Sequence, residues 1–96
     1  MKAMIAWWDL DDSAQTIDSL RDFLRDEAID RWSAVHGLCQ KFWIADRDAN
    51  RWRAVQLWSS AQAADQPLST RAAELIGYPP THREWFDVEA SIEGAR

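Results

Sequence analysis

Cysteine, lysine, glycine and proline are all scarce in this chain of 96 residues. Its one cysteine, Cys39, cannot make an internal disulfide, and no Cys/His set has zinc-ligand spacing. No metal site and no bound cofactor are therefore expected. Cys39 falls in an expected strand, where a buried structural thiol is the ordinary reading. The only lysines are Lys2 and Lys41, and the net charge is −5. A protein that binds nucleic acid through its phosphates needs clustered Lys and Arg, so no nucleic-acid partner is expected. No run approaches the roughly 18 apolar residues of a membrane span, and no basic-then-apolar leader opens the chain. The expectation is a cytoplasmic protein with no membrane partner. Glycine and proline number three each and serve as punctuation between elements. There are no internal repeats and no low-complexity segment.

Tryptophan is abundant. Trp7, Trp8, Trp32, Trp43, Trp52, Trp58 and Trp85 make seven. Each indole buries roughly 150–250 Å² and carries one N–H that needs a partner. A small core has little need of so many. The surplus is expected to line a pocket for a flat ligand or to cover a partner surface.

The length predicts one domain over residues 1–96. Lys2–Leu10 reads as a central strand, because both of its alternating faces are largely apolar. Asp12 and Gln15 have the spacing of a helix cap, and a long helix is expected from about Ser13 to Ala34. Its stripe is Ile17, Leu20, Phe23, Leu24, Ala28 and Trp32. Leu38–Asp46 and Arg51–Trp58 form a hairpin around a polar turn. Ser59 and Gln62 open a short helix that Pro67 ends. Thr70–Ile76 is a second helical piece stopped by Gly77. After the stiff Tyr78-Pro79-Pro80 loop, Thr81–Ile92 is the last strand.

The order β-α-β-β-α-β predicts an α+β fold. It is a ferredoxin-like four-stranded antiparallel sheet with helices on one face. The other face is left bare, and Trp8, Trp43 and Trp85 are assigned to it. A homodimer through that open sheet face would cover it.

Gly37-Leu38-Cys39-Gln40-Lys41-Phe42-Trp43 resembles the Gly-hydrophobic-x-x-Lys-hydrophobic-Trp strand of the YdhR-like monooxygenases. Ala54-Val55-Gln56-Leu57-Trp58 and Trp85-Phe86-Asp87-Val88-Glu89 are similar to that family's following and final strands. The likeness covers roughly residues 35–92, and His36 stands where the family pattern has a proline. The resemblance implies a dimeric α+β barrel. It also implies kinship with antibiotic-biosynthesis monooxygenases, which oxidise aromatic, polyketide-like molecules without metal or flavin.

Such chemistry needs a planar aromatic substrate, a base and a dry pocket. Three residues are candidate bases. His82 opens the last strand, His36 sits at the helix-to-strand junction, and Asp9 ends the first strand among tryptophans. Trp7, Trp52, Gln56, Trp58 and Arg83 are candidate substrate contacts. Small Ala54 between Trp52 and Trp58 would leave a slot for a planar ring. Arg83 either anchors a substrate oxyanion or pairs with Glu84, Asp87 or an acid across the dimer. Lys41 either guards an edge strand or holds a structural position that the resemblance implies, and a pocket role is the further alternative. Three functions remain open. One is a cofactor-free monooxygenase on an aromatic or polyketide-like molecule. Another is a cyclase or isomerase on the same barrel, and the third is a non-catalytic module holding a hydrophobic or aromatic small molecule. Haem, which related barrels host, would need His36 or His82 as ligand.

Overall fold

The computed structural model describes residues 1–95. Strand β1 (Lys2–Asp9) leads to helix α1 (Ile17–Phe23), a π-helical turn (Leu24–Ala28) and helix α2 (Ile29–Ser33). Strands β2 (Leu38–Asp46) and β3 (Arg51–Trp58), short helices α3 (Ala61–Ala64) and α4 (Arg71–Ile76), and strand β4 (His82–Asp87) follow. The four strands form one antiparallel sheet in the order β2-β3-β1-β4, as α+β patterning predicts and compatible with a ferredoxin-like fold.

Local chemistry explains where the elements begin. Thr16, extended at φ −120° and ψ 167°, caps α1 by accepting from the Ser19 N–H, while its own N–H donates to the Ser19 hydroxyl. The expected start at Ser13 is therefore four residues too early. Ser13 instead ties two loops together by donating to the Ile76 carbonyl and accepting from the Gln15 N–H. Ser60, one residue after the expected Ser59, caps α3 through the Ala63 N–H. The predicted long helix is interrupted by the π turn, where the Ile29 N–H bonds back to the Leu24 carbonyl. Gly77 ends α4 in the left-handed region at φ 105°. The last strand stops at Asp87 and not at Ile92. Asp87 pairs with Lys2, the first residue of β1, so no neighbouring strand remains beyond it.

Cys39 is exposed, in place of the buried thiol expected. It occupies a bulge in edge strand β2, where pairing shifts between Leu38 and Gln40, and the bulge turns it away from the core.

The two sheet faces are unlike. Met4, Ala6 and Trp8 of β1 and Trp52, Ala54, Gln56 and Trp58 of β3 are buried toward the helices. Trp8, Leu10, Ile17, Leu20, Trp52 and Ile76 form the core cluster. The opposite face carries Ile5, Trp7, Val55 and Leu57 half-buried, with Phe42, Ile44 and Phe86 exposed. Trp8, Trp43 and Trp85 therefore lie on the helix side and not on the open face that alternation predicts for them. Residue parity on β2 and β4 is fixed by partners (Trp43 opposite Ala54, Trp85 opposite Met4), and both partners face inward. Among the described residues, no helix is long and apolar enough to cross a membrane.

Candidate functional site

Between the helix side of the sheet and the helices lies a cavity of about 460 Å³. Its floor follows from strand register. Ala54 of β3 stands opposite Ala6 of β1, and Trp43 and Arg83 extend the same row onto the edge strands. Two methyl groups side by side leave the middle of the floor low. Two residues along each strand, Trp52 faces Trp8 and forms one wall. On the other side the row Lys41, Gln56, Met4 and Trp85 closes the floor. Phe23, Ala28 and Trp32 supply the roof from the first helical stretch, and Ala72 and Ala73 supply it from α4. The cavity lies over Ala54 with Trp52 as one wall, but it is not the expected slot between two indoles of β3. The other expected wall, Trp58, is fully buried outside the cavity.

Lys41 is the chemically distinctive group of this cavity. Its Nζ lies 3.2 Å from the ring centroid of Trp32 and 4.8 Å from that of Trp43. Among the described residues it makes no ion pair and no side-chain hydrogen bond. Burial pushes its amine down to about 7. The indole faces favour the ammonium form and act in the opposite direction. Strand alternation accounts for the placement, because Lys41 and Trp43 point inward while Phe42 points outward. Sequence reading weighed Lys41 as an edge guard because an edge strand ordinarily gives its lysine to water. Here Trp32 of α2 lies against the Lys41 amine and takes the place of part of its water, leaving Lys41 half-buried.

Gln56 is buried and its Oε1 accepts from the Trp58 indole N–H at 3.0 Å. That bond satisfies an otherwise stranded indole and leaves the Gln56 amide group at the cavity wall. Arg83 lines the cavity from β4 and forms no ion pair among the described residues. The expected pairing with Glu84 or Asp87 is absent because those carboxylates engage His82 and Lys2. Arg31 and Asp65 complete the charged rim.

The three expected bases do not reach this cavity. His82 is on the open face, stacked on Trp7 with ring centroids 4.2 Å apart and in contact with the Glu84 carboxylate. Trp7 is held between it and Arg53, whose guanidinium lies 5.1 Å from the indole centroid. Trp7 is thus also outside the cavity. His36 is exposed in the turn before β2, and its carbonyl accepts from Gln66. Asp9 ends β1 as a loop anchor. Its carboxylate accepts from the Asp11 N–H, its backbone N–H donates to Thr81, and its carbonyl accepts from the Tyr78 hydroxyl. The cavity thus keeps Trp52, Gln56 and Arg83 of the expected set and adds Lys41, Trp8, Trp32, Trp43 and Trp85. Neither imidazole is placed to serve a haem there. Among the described residues, no group of three or more His, Cys, Asp or Glu side chains could hold a metal ion.

No protein-family model matches the chain, and no curated protein matches it in sequence.

Proposed function

We propose that the protein is a cofactor-independent monooxygenase that binds a flat aromatic or polyketide-like molecule over the Ala6–Ala54 floor. Lys41 acts as its base. The observation that carries this reading is a desolvated amine, free of any carboxylate partner, inside a cavity walled by five indoles. An amine with a pKa near 7 is matched to proton abstraction at neutral pH. Neutral Lys41 would take the proton of an electron-rich phenol or of an activated CH group. The resulting anion passes an electron to O2, and the radical pair combines to form a carbon–oxygen bond. For a phenol with a free ring position, loss of water then gives the quinone. One oxygen atom stays in the product and the other leaves as water. Gln56 and Arg83 would orient the substrate oxygen and stabilise its negative charge.

The resemblance to the YdhR-like monooxygenases supports the oxidative reading and, with it, a dimeric α+β barrel. A second copy on the open face would cover Phe42, Ile44 and Phe86, which are 43–46% exposed. Proton transfer is shared with a cyclase or isomerase, and aromatic walls without turnover would make a binding module. The deciding experiment is oxygen uptake with electron-rich phenols and anthrones, run beside tryptophan-fluorescence titration, with Lys41→Met as control. Uptake lost in that variant supports the oxidase. Binding without uptake, together with substrate rearrangement, points to the isomerase. Binding alone points to the module, and neither binding nor uptake removes the reading.

A further inference from the structure

Lys41 lines two concavities at once. It lines the inner cavity and also an outer groove of about 300 Å³, bounded by Ile29, Leu38, Cys39 and Gln40. Trp32 and Trp43 are shared by both spaces. A molecule arriving from either side meets the amine between the same two indoles. The groups facing it are the Gln56 amide across the β2–β3 ladder and, on the same cavity, Arg31 from α2 and Asp65 after α3. Arg31 is engaged with Ser69 and Glu27. No carboxylate pairs with Lys41 among the described residues. A lysine so placed is a nucleophile as well as a base, because no carboxylate among the described residues holds its proton and the neutral fraction keeps its lone pair free.

We propose that Lys41 captures flat aromatic aldehydes and ketones as imines within the tryptophan cavity. The amine lone pair adds to the carbonyl carbon, forming the C–N bond. Two proton transfers follow, and the carbonyl oxygen leaves as water. No oxidant or reductant is needed. An amine held near pH 7 is half neutral there, whereas an ordinary lysine near 10.4 is neutral in less than roughly one molecule in a thousand. The indoles stack on the aromatic ring and keep water from hydrolysing the imine. This activity uses the cavity of the proposed oxygenase but does not require oxygen chemistry.

Having only two lysines makes the test sharp. The intact protein is incubated at pH 7 with 4-hydroxybenzaldehyde and sodium cyanoborohydride, and the reduced adduct is mapped by peptide mass spectrometry. Lys2, in an ion pair with Asp87 at 2.5 Å, is the internal reference. Lys41 is expected to label at least about tenfold faster than Lys2. Excess 1-naphthol, which carries no carbonyl, should slow labelling at Lys41 and not at Lys2. Lys41→Arg keeps a cation on the strand and should leave only Lys2 and the N-terminus labelled. Equal rates at the two lysines, or fast Lys41 labelling that 1-naphthol leaves untouched, would overturn the proposal. Imine capture without oxygen uptake leaves this inference standing while the oxidative reading fails, and the reverse result separates them equally.

Discussion

The Nζ of Lys41, on edge strand β2, sits 3.2 Å from the ring centroid of Trp32 of α2. That contact turns an edge-strand lysine, ordinarily a solvent-facing guard, into a desolvated amine on a cavity wall.

The first prediction concerns stability and pH. The folded Lys41 binds its proton more weakly than the unfolded chain does, with a pKa of about 7 against the ordinary lysine value of 10.5. Between those values the unfolded state carries more protons, so stability rises with pH. It is lowest below about pH 7, where both states are protonated and the full burial cost remains. Thermal unfolding between pH 6 and 9 should show a rising Tm for the native chain and a flatter curve for Lys41→Met. At pH 6 the variant should be the more stable by roughly 1–3 kcal/mol. A native curve as flat as the variant's would show that Lys41 titrates normally.

Catalysis should follow the same group. Activity requires the neutral amine, so kcat/KM should climb through about pH 7 and level off above it. Neither His82→Ala nor His36→Ala should change the midpoint, because both imidazoles lie outside the cavity. A midpoint that moves in His82→Ala would return the base to the open face.

Substituting Ala54→Leu places a branched side chain on the low point of the floor beside Ala6. Ligand binding, read as quenching of tryptophan fluorescence, should weaken by at least about tenfold. Overpacking should cost no more than roughly 1–3 kcal/mol, since the side chain enters open space. Unchanged affinity would place the ligand elsewhere.

The open face offers a test of assembly. Phe42→Asp and Ile44→Asp alter side chains that are exposed in the single chain, so fold stability should change by about 0.5 kcal/mol or less. Sedimentation should nevertheless shift from dimer to monomer. A native chain that sediments as a monomer at micromolar concentration would disprove the interface.

Gly37→Ala tests the turn that aims β2. Gly37 has φ 83°, and an added Cβ would lie 2.5 Å from the Ala63 Cβ of α3. Strain and clash together should lower stability by roughly 1–3 kcal/mol in chemical denaturation. Loss of labelling selectivity at Lys41 should accompany it, because the turn sets where β2 leaves α2.

Much of the frame is legible from local patterning. The period of two in Met4-Ala6-Trp8 and in Trp52-Ala54-Gln56 fixes which residues share a face, and the Ile17, Leu20 and Phe23 spacing fixes a helix against them. The element order and the inward placement of Ala54 and Trp52 follow from the same signals. Which face turns inward on an edge strand is not local. Trp43 and Trp85 were read outward because alternation alone has no sign on a strand with one neighbour. Their register opposite Ala54 and Met4 supplies it. Asp9 is a candidate base because it adjoins Trp7 and Trp8 in sequence, and His82 because an imidazole opens the last strand, yet position along a strand does not tell which face a side chain takes.

Sequence by itself determined the α+β element order, the acidic and lysine-poor surface, and the surplus of indoles, since these depend on composition and on contacts close along the chain. Tertiary structure alone decided that five of the seven indoles line a cavity, that Gln56 satisfies the Trp58 indole N–H, and that Lys41 has no ion-pair partner among the described residues. Those outcomes depend on which strands become neighbours and on the helix that closes over them. Desolvation and hydrogen-bond satisfaction are properties of that enclosure, and no single residue carries them.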